Sequence, residues 1–212
     1  MHLKHLLVPS LLASALLLSA GHALAGTDLS VSGRIQPGAC SLTLGNGGTV
    51  DMGTISRKDL KEAKETAFLW WNHEISLGIH CQAPTKVAFR ALDNRAGTSN
   101  NGYGFGLGAS RGKNVGHYTL VPWDRIGDGD ALVHLVGKGG SGWEVVGDTG
   151  ATRFIHPSDL SSWAAPGQTL PQAFQNISSR LGFDIFIAPT KDLDLSQEIA
   201  IDGSATMELV YL

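Results

Sequence analysis

The sequence predicts an all-β sandwich, and three features predict it. Apolar residues alternate in short segments: Ile75, Leu77, Ile79 and Cys81 interleave with Glu74, Ser76, Gly78 and His80, and Val87, Phe89 and Ala91 repeat the pattern. This period of two belongs to strands with one buried face. Glycine is abundant, 27 of 212 residues, and with proline and asparagine it punctuates the chain as turns do. Segments with helical periodicity are few. Several short strands between such turns describe a sandwich.

The elements follow in chain order. "MHLKHLLVPSLLASALLLSAGHALA" combines a basic Lys4, an apolar run through Leu18 and the small-residue pattern Ala23-Leu24-Ala25. Residues 1–25 are therefore expected to be a secretory signal peptide. Pro9 interrupts the run, and about 20 apolar residues are needed to span a bilayer, so the mature protein is expected not to span a membrane. Residues 26–36 read as a separate N-terminal strand in which Leu29, Val31, Gly33 and Ile35 share one face. Residues 37–212 are long enough to form one domain with a sizeable core. Within them "GGTVDMGTI" pairs Val50 with Met52, "GFDIFIAP" offers Phe183, Ile185 and Ile187, and "EIAI" offers Ile199 and Ile201. The last segment, "ATMELVYL", aligns Ala205, Met207, Leu209 and Tyr211.

Two stretches suggest short helices. Arg57 to Phe68 is charged and suits an exposed helix. "TLPQAFQNISSRL" places Leu170, Phe174, Ile177 and Leu181 at helical spacing behind a Thr169/Gln172 capping box, with Pro171 in the first turn. The glycine-rich middle, 93–150, reads as hairpins and long loops laid on the sandwich.

Charge and cysteine content narrow the function. The net charge is −3, with no basic run, so neither nucleic acid nor an anionic membrane is an expected partner. Cys40 and Cys81 are the only cysteines. In an oxidising compartment they are expected to pair, since two thiols do not supply a structural zinc site. The bridge would close a loop of about 40 residues and constrain the unfolded chain by roughly 3–4 kcal/mol.

Catalysis is not expected. The chain has no G-x-S-x-G elbow, no H-E-x-x-H and no phosphate loop in a strand–helix context. His73, His80, His117, His134 and His156 show no metal-ligand spacing, and the acidic turn from Asp124 to Asp130 has no EF-hand spacing. No catalytic residue, metal site or cofactor is assigned. Trp123, Trp143 and Trp163 stand in glycine-rich or polar stretches, where exposed aromatics serve as platforms for sugars or proteins. Core packing is the alternative for all of them.

"DLSVSGRIQPGAC" resembles the N-terminal donor strand of chaperone–usher fimbrial subunits (pilins). In these, an apolar-x-apolar-x-Gly-x-apolar run precedes the first cysteine, as Leu29, Val31, Gly33 and Ile35 precede Cys40. Cys81, "VDMG" and the penultimate Tyr211 extend the likeness. Within this superfamily the chain is similar, in "FGLG", "NVGHY", "IDG" and the terminal "VYL", to a fimbrial-like domain-of-unknown-function family of exported bacterial proteins. It departs from the pilin pattern at Ile199, where glycine is common, and in the length of its middle segment.

The resemblance implies an incomplete immunoglobulin-like sandwich lacking its last strand. A periplasmic chaperone would lend a strand beside Ala205, Met207, Leu209 and Tyr211. At the outer-membrane usher, the donor strand of another fimbrial subunit would replace it. Leu29, Val31 and Ile35 would insert as side chains worth on the order of 5–9 kcal/mol together, and Gly33 would fix the register. The implied course is export, transit of the periplasm and display at the cell surface in a fimbria. A stand-alone or tip-located adhesin-like module with a carbohydrate or protein receptor is the alternative.

Overall fold

The computed structural model describes residues 39–137, 142–147 and 154–212. The described residues all lie in one compact unit, Gln36–Leu212. The signal peptide and the donor-strand residues Leu29, Val31, Gly33 and Ile35 lie outside the described residues.

The described strands, in chain order, are β1 (Cys40–Leu44), β2 (Thr66–Phe68), β3 (Glu74–Thr85), β4 (Val87–Asp93), β5 (Phe105–Gly106), β6 (Ala109–Ser110) and β7 (Lys113–Asn114). They continue with β8 (Gly116–Gly127), β9 (Asp130–Ala131), β10 (Val133–Gly137), β11 (Trp143–Val146), β12 (Leu160–Ala164), β13 (Phe174–Ile187) and β14 (Ala205–Tyr211). One sheet runs β1-β3-β13-β8-β5, with β2 on β13 and β9 on β8; the other runs β11-β10-β12-β4-β14. All these pairings are antiparallel. The fold is the all-β sandwich that the alternation predicts.

The core lies where the alternating faces meet. Leu77, Ile79 and Cys81 of β3, Leu120 of β8, and Ile177, Leu181 and Ile185 of β13 pack against Val87 and Phe89 of β4 and Trp163 of β12. Cys40 and Cys81 form the expected disulfide. They face each other directly in the β1–β3 register, and the Gln82 amide donates to the Ala39 carbonyl beside them at 3.1 Å.

Four local expectations are corrected. The segment read as a helix around Leu170 to Leu181 is mostly strand: Leu170 is exposed, and Phe174–Ile187 is the long central strand of its sheet. Ile177 and Leu181 are four apart, a spacing that suits a strand face as well as a helix face. Hydrogen bonding to β3 on one side and β8 on the other decides the outcome. The charged stretch 57–68 forms a 3₁₀ turn at Arg57–Asp59 and then β2. The middle segment is more than loops laid on a sandwich, because Gly116–Gly127 is a full strand beside β13. Finally, "GGTVDMGTI" and "EIAI" show period-two alternation but form no strand. Their apolar residues still turn to the core edge.

Candidate functional site

The open side of the sandwich lies where β1 ends one sheet and β14 ends the other. β14 pairs along its whole length with β4, from Ala205↔Asp93 to Tyr211↔Val87. Its other edge has no neighbour in the sheet order of the described residues. Beside it opens a cavity of about 220 Å³. Leu120, Leu181, Phe183 and Ile185 lie beneath, with Ala205 and Met207 on one wall and Val50 and Met52 on the other. A second cavity, about 580 Å³, continues from it toward Leu193 and Ile199. Val50, Met52 and Ile201 line both, so the two form one groove in which these apolar side chains stand beside polar groups such as Asp51, Gln197 and Glu198.

The groove's walls explain the two strand-like segments that failed to become strands. Residues 49–56 and 198–204 carry no regular secondary structure, and each presents an alternating apolar pair, Val50/Met52 and Ile199/Ile201. An extended segment needs a hydrogen-bonding neighbour as well as an apolar face. Gly203 keeps the groove open at its centre: a Cβ there would come within 2.9 Å of both Leu107 and Tyr118.

The four residues singled out on the terminal strand divide. Ala205 and Met207 line the groove. Leu209 is half-buried against the core. Tyr211 is 46% exposed, and its hydroxyl accepts the Cys40 amide proton at 2.8 Å, tying the end of β14 to the start of β1. On the solvent side of β14, Glu208 pairs with Arg90 at 2.9 Å. At the mouth of the loop before it, Arg95 holds the Asp202 carboxylate at 2.7 Å.

The tryptophans also divide. Trp163 is 1% exposed and packs on Phe89 with ring centroids 5.5 Å apart; it offers no face to a ligand. Trp143 covers Gly137, where a Cβ would lie 3.1 Å from its ring. Trp123 packs against Trp70 at 5.2 Å, beneath the Arg180 guanidinium at 5.5 Å. Trp70 fits because residue 182 is glycine: a Cβ there would come within 2.7 Å of it.

A second concavity, about 580 Å³, lies on the other face of β8. Its lining includes Glu65, Asn101, Tyr103, His117, Thr119 and Phe186. Alternation along β8 separates the two sites: Tyr118 and Leu120 face the groove, His117 and Thr119 the pocket. No spacing in the sequence marks this pocket, because only the pairing of β8 with β13 and β5 collects residues from positions 65 to 186. The one local signal is the pair of polar residues inside the alternating "GHYTL".

Comparison with known proteins defines what the chain resembles. Residues 29–110 match a family described as "Protein of unknown function (DUF1120)". The match starts at Leu29, takes in both cysteines and stops at the end of β6. The chain is also similar to "Uncharacterized protein YhcF" of Escherichia coli (strain K12), at 27% identity over 218 residues. That similarity covers 87% of this chain and 90% of YhcF.

Proposed function

We propose that the protein is a structural subunit of a surface fimbria assembled by donor-strand exchange and contributing to cell adhesion. The observation that carries this reading is the groove beside β14, walled by two extended segments that share a strand's alternation and have, among the described residues, no strand between them. An added strand would have β14's free edge to pair with and the exposed sides of Val50, Met52, Ile199, Ile201 and Met207 to cover. Left uncovered, such an edge invites indiscriminate pairing. A periplasmic chaperone would fill the groove first, and the segment 26–36 of a following subunit would replace it at the usher. Leu29, Val31 and Ile35 are the side chains that would enter, with Gly33 setting the register.

The test compares protein purified from the periplasm with a variant lacking residues 26–36 and with Gly33→Leu, on unboiled and boiled gels. The expected result is a ladder that collapses on boiling and is absent or shortened in both variants. A single monomer band for all three, with a folded core and no co-purifying chaperone, would overturn the proposal.

A second reading, a stand-alone or tip-located binding module, is favoured by one separate observation. The pocket behind β8 presents an exposed tyrosine, Tyr103, beside the apolar side chains of Val145, Phe154 and Phe186.

A further inference from the structure

The imidazole of His117 is enclosed by its neighbours. It lies flat against Phe186 of β13, ring centroids 4.7 Å apart. Gly104 closes over its edge, where a Cβ would come within 2.8 Å of His117 Cδ2. Its Nε2 meets the Asn101 side-chain amide at 2.6 Å. His117 is 3% exposed, and residues 101–104 form part of its cover.

Two other bonds fix the direction of the one to Asn101. Asn101 Oδ1 accepts from the backbone N–H groups of Tyr103 at 3.0 Å and Gly104 at 2.7 Å. An amide that accepts through its oxygen there must donate through Nδ2 to His117. His117 Nε2 is therefore the acceptor, and the neutral ring carries its proton on Nδ1, toward Glu65 at 3.5 Å. A second proton can enter only at Nε2, where it sets two donors face to face. Turning the amide over gives no relief, because Nδ2 would then face the two backbone N–H groups. A charged His117 and a closed segment therefore oppose each other.

The charged and titratable groups around the ring come from several elements. Glu65, before β2, favours the charged form, and burial opposes it with the larger effect. On β13, Asp184 stands two residues before Phe186 and accepts from the Trp70 amide at 2.8 Å. On β5, Gly106 pairs opposite His117 and donates to Asp93 at 3.0 Å. Glu144 of β11 and His156 share the concavity. His156 Nδ1 donates to the Tyr103 carbonyl at 3.0 Å and still does so when the ring gains a proton, so His156 is not the group that lets go. Lys138 and Arg153 lie outside the described residues.

We propose that His117 and Asn101 form an acid-released clasp: the neutral ring holds residues 101–104 closed over β8, and a proton at Nε2 frees them, with Tyr103 at the mouth of the concavity. The clasp is independent of strand donation and of any ligand. With the segment open, the imidazole meets water and titrates near its ordinary 6.5; closed, burial holds it lower. The open form takes up the proton first. Acid therefore favours opening from about pH 6.5 downward, by at most about 10-fold per pH unit.

The test is hydrogen exchange on the full chain at pH 7.5 and 5.0, read by NMR relative to an unstructured chain. Protection of the Tyr103 and Gly104 amides should fall about 10-fold or more between the two. At both it should lie at least about 10-fold below that of the β3 amides, the mark of local opening. Asn101→Asp, at an exposed site, keeps an acceptor for both backbone amides and offers one to a protonated Nε2. In this variant acid should no longer lower the protection. His117→Gln, which has no proton to take up, should give equal protection at both pH values. Nitrogen spectra at pH 7.5 should show Nε2 unprotonated. Unchanged protection in the unaltered chain, values equal to those of β3, the same acid loss in Asn101→Asp, or a proton on Nε2 at pH 7.5 would each overturn the clasp.

Discussion

One strand builds two unlike surfaces. On the inner face of β8, Tyr118 and Leu120 border the groove; on the outer face, His117 and Thr119 border the pocket. The groove is an unfinished core, and its deficit is apolar area left in water, at about 25 cal/mol per Å². The pocket is lined largely by Val136, Val145, Val146, Phe154 and Phe186, and its deficit is local: His117 Nδ1 and Thr119 Oγ1 are buried behind it with no hydrogen-bond partner. A deficit of area is met by any apolar strand of the right register. A deficit of hydrogen bonds is met only by matching atoms in fixed places. The comparison teaches that the same period-two alternation can build a permissive surface and a discriminating one back to back.

The comparison can be broken or sharpened in order of expected effect. The largest change should follow loss of the disulfide that fastens β1, and with it one border of the groove, to β3. Cys40→Ala with Cys81→Ala should cost roughly 3–4 kcal/mol in denaturant unfolding. A loss below about 1 kcal/mol would mean that sheet contacts alone hold β1.

Next comes Met207→Glu, which sets a charge on the groove wall. The polymer ladder should fall roughly 10-fold or more through the cost of burying that charge under an incoming strand. Protection of the Gly104 amide at the pocket should not change. If both fall together, the two faces of β8 are coupled and the separation fails.

A smaller effect is expected from acid. Burial lowers the His117 pKa below its ordinary 6.5, while the nearby Glu65 carboxylate partly offsets the shift. The unfolded chain therefore takes up this proton before the folded one does. The histidine's contribution is intact above about pH 6.5 and is lost as the pH falls from there toward the lower folded value. Thermal melts from pH 7.5 to 5.0 should show Tm falling, with a shallower slope in His117→Gln; equal slopes would show that His117 is not the group responsible.

The smallest effect is expected on the solvent side of β14. Glu208→Gln breaks an exposed pair with Arg90 and should change stability by less than about 0.5 kcal/mol. It should leave the ladder intact, and a clear loss would place part of the partner's contact on that outer side.

The legible parts of the sequence are those where one physical rule acted alone. β3 and β4 were readable because buried positions alternate with wetter ones, β14 because Ala205, Met207, Leu209 and Tyr211 alternate in sequence although none is fully buried, and the cysteine pair because it had a single chemical outcome. Phe174–Ile187 was half legible: Phe183, Ile185 and Ile187 were readable as a strand, but Ile177 and Leu181 satisfy both periods, and only the neighbouring strands choose between them. β8 was hidden by its composition, since glycine, histidine, threonine and proline hold the positions between its apolar residues. At the groove, the alternation of Ala205 with Met207 and of Val50 with Met52 was visible, but the lack of a neighbour beside them was not. The pocket was invisible because Glu65, Asn101, Tyr103 and His117 meet only after the sheet is assembled.

The bond from the Cys40 amide to the Tyr211 hydroxyl ties the start of β1 to the end of β14. At that end β1 and β14 are fastened together; farther along, Leu44 and Ala205 both line the cavity. If a strand is donated to the groove as proposed, it would run beside β14 between the Ile199 and Val50 side and the Cys40–Tyr211 tie. On that reading the tie would act as a gauge, setting how many residues of a guest could be seated.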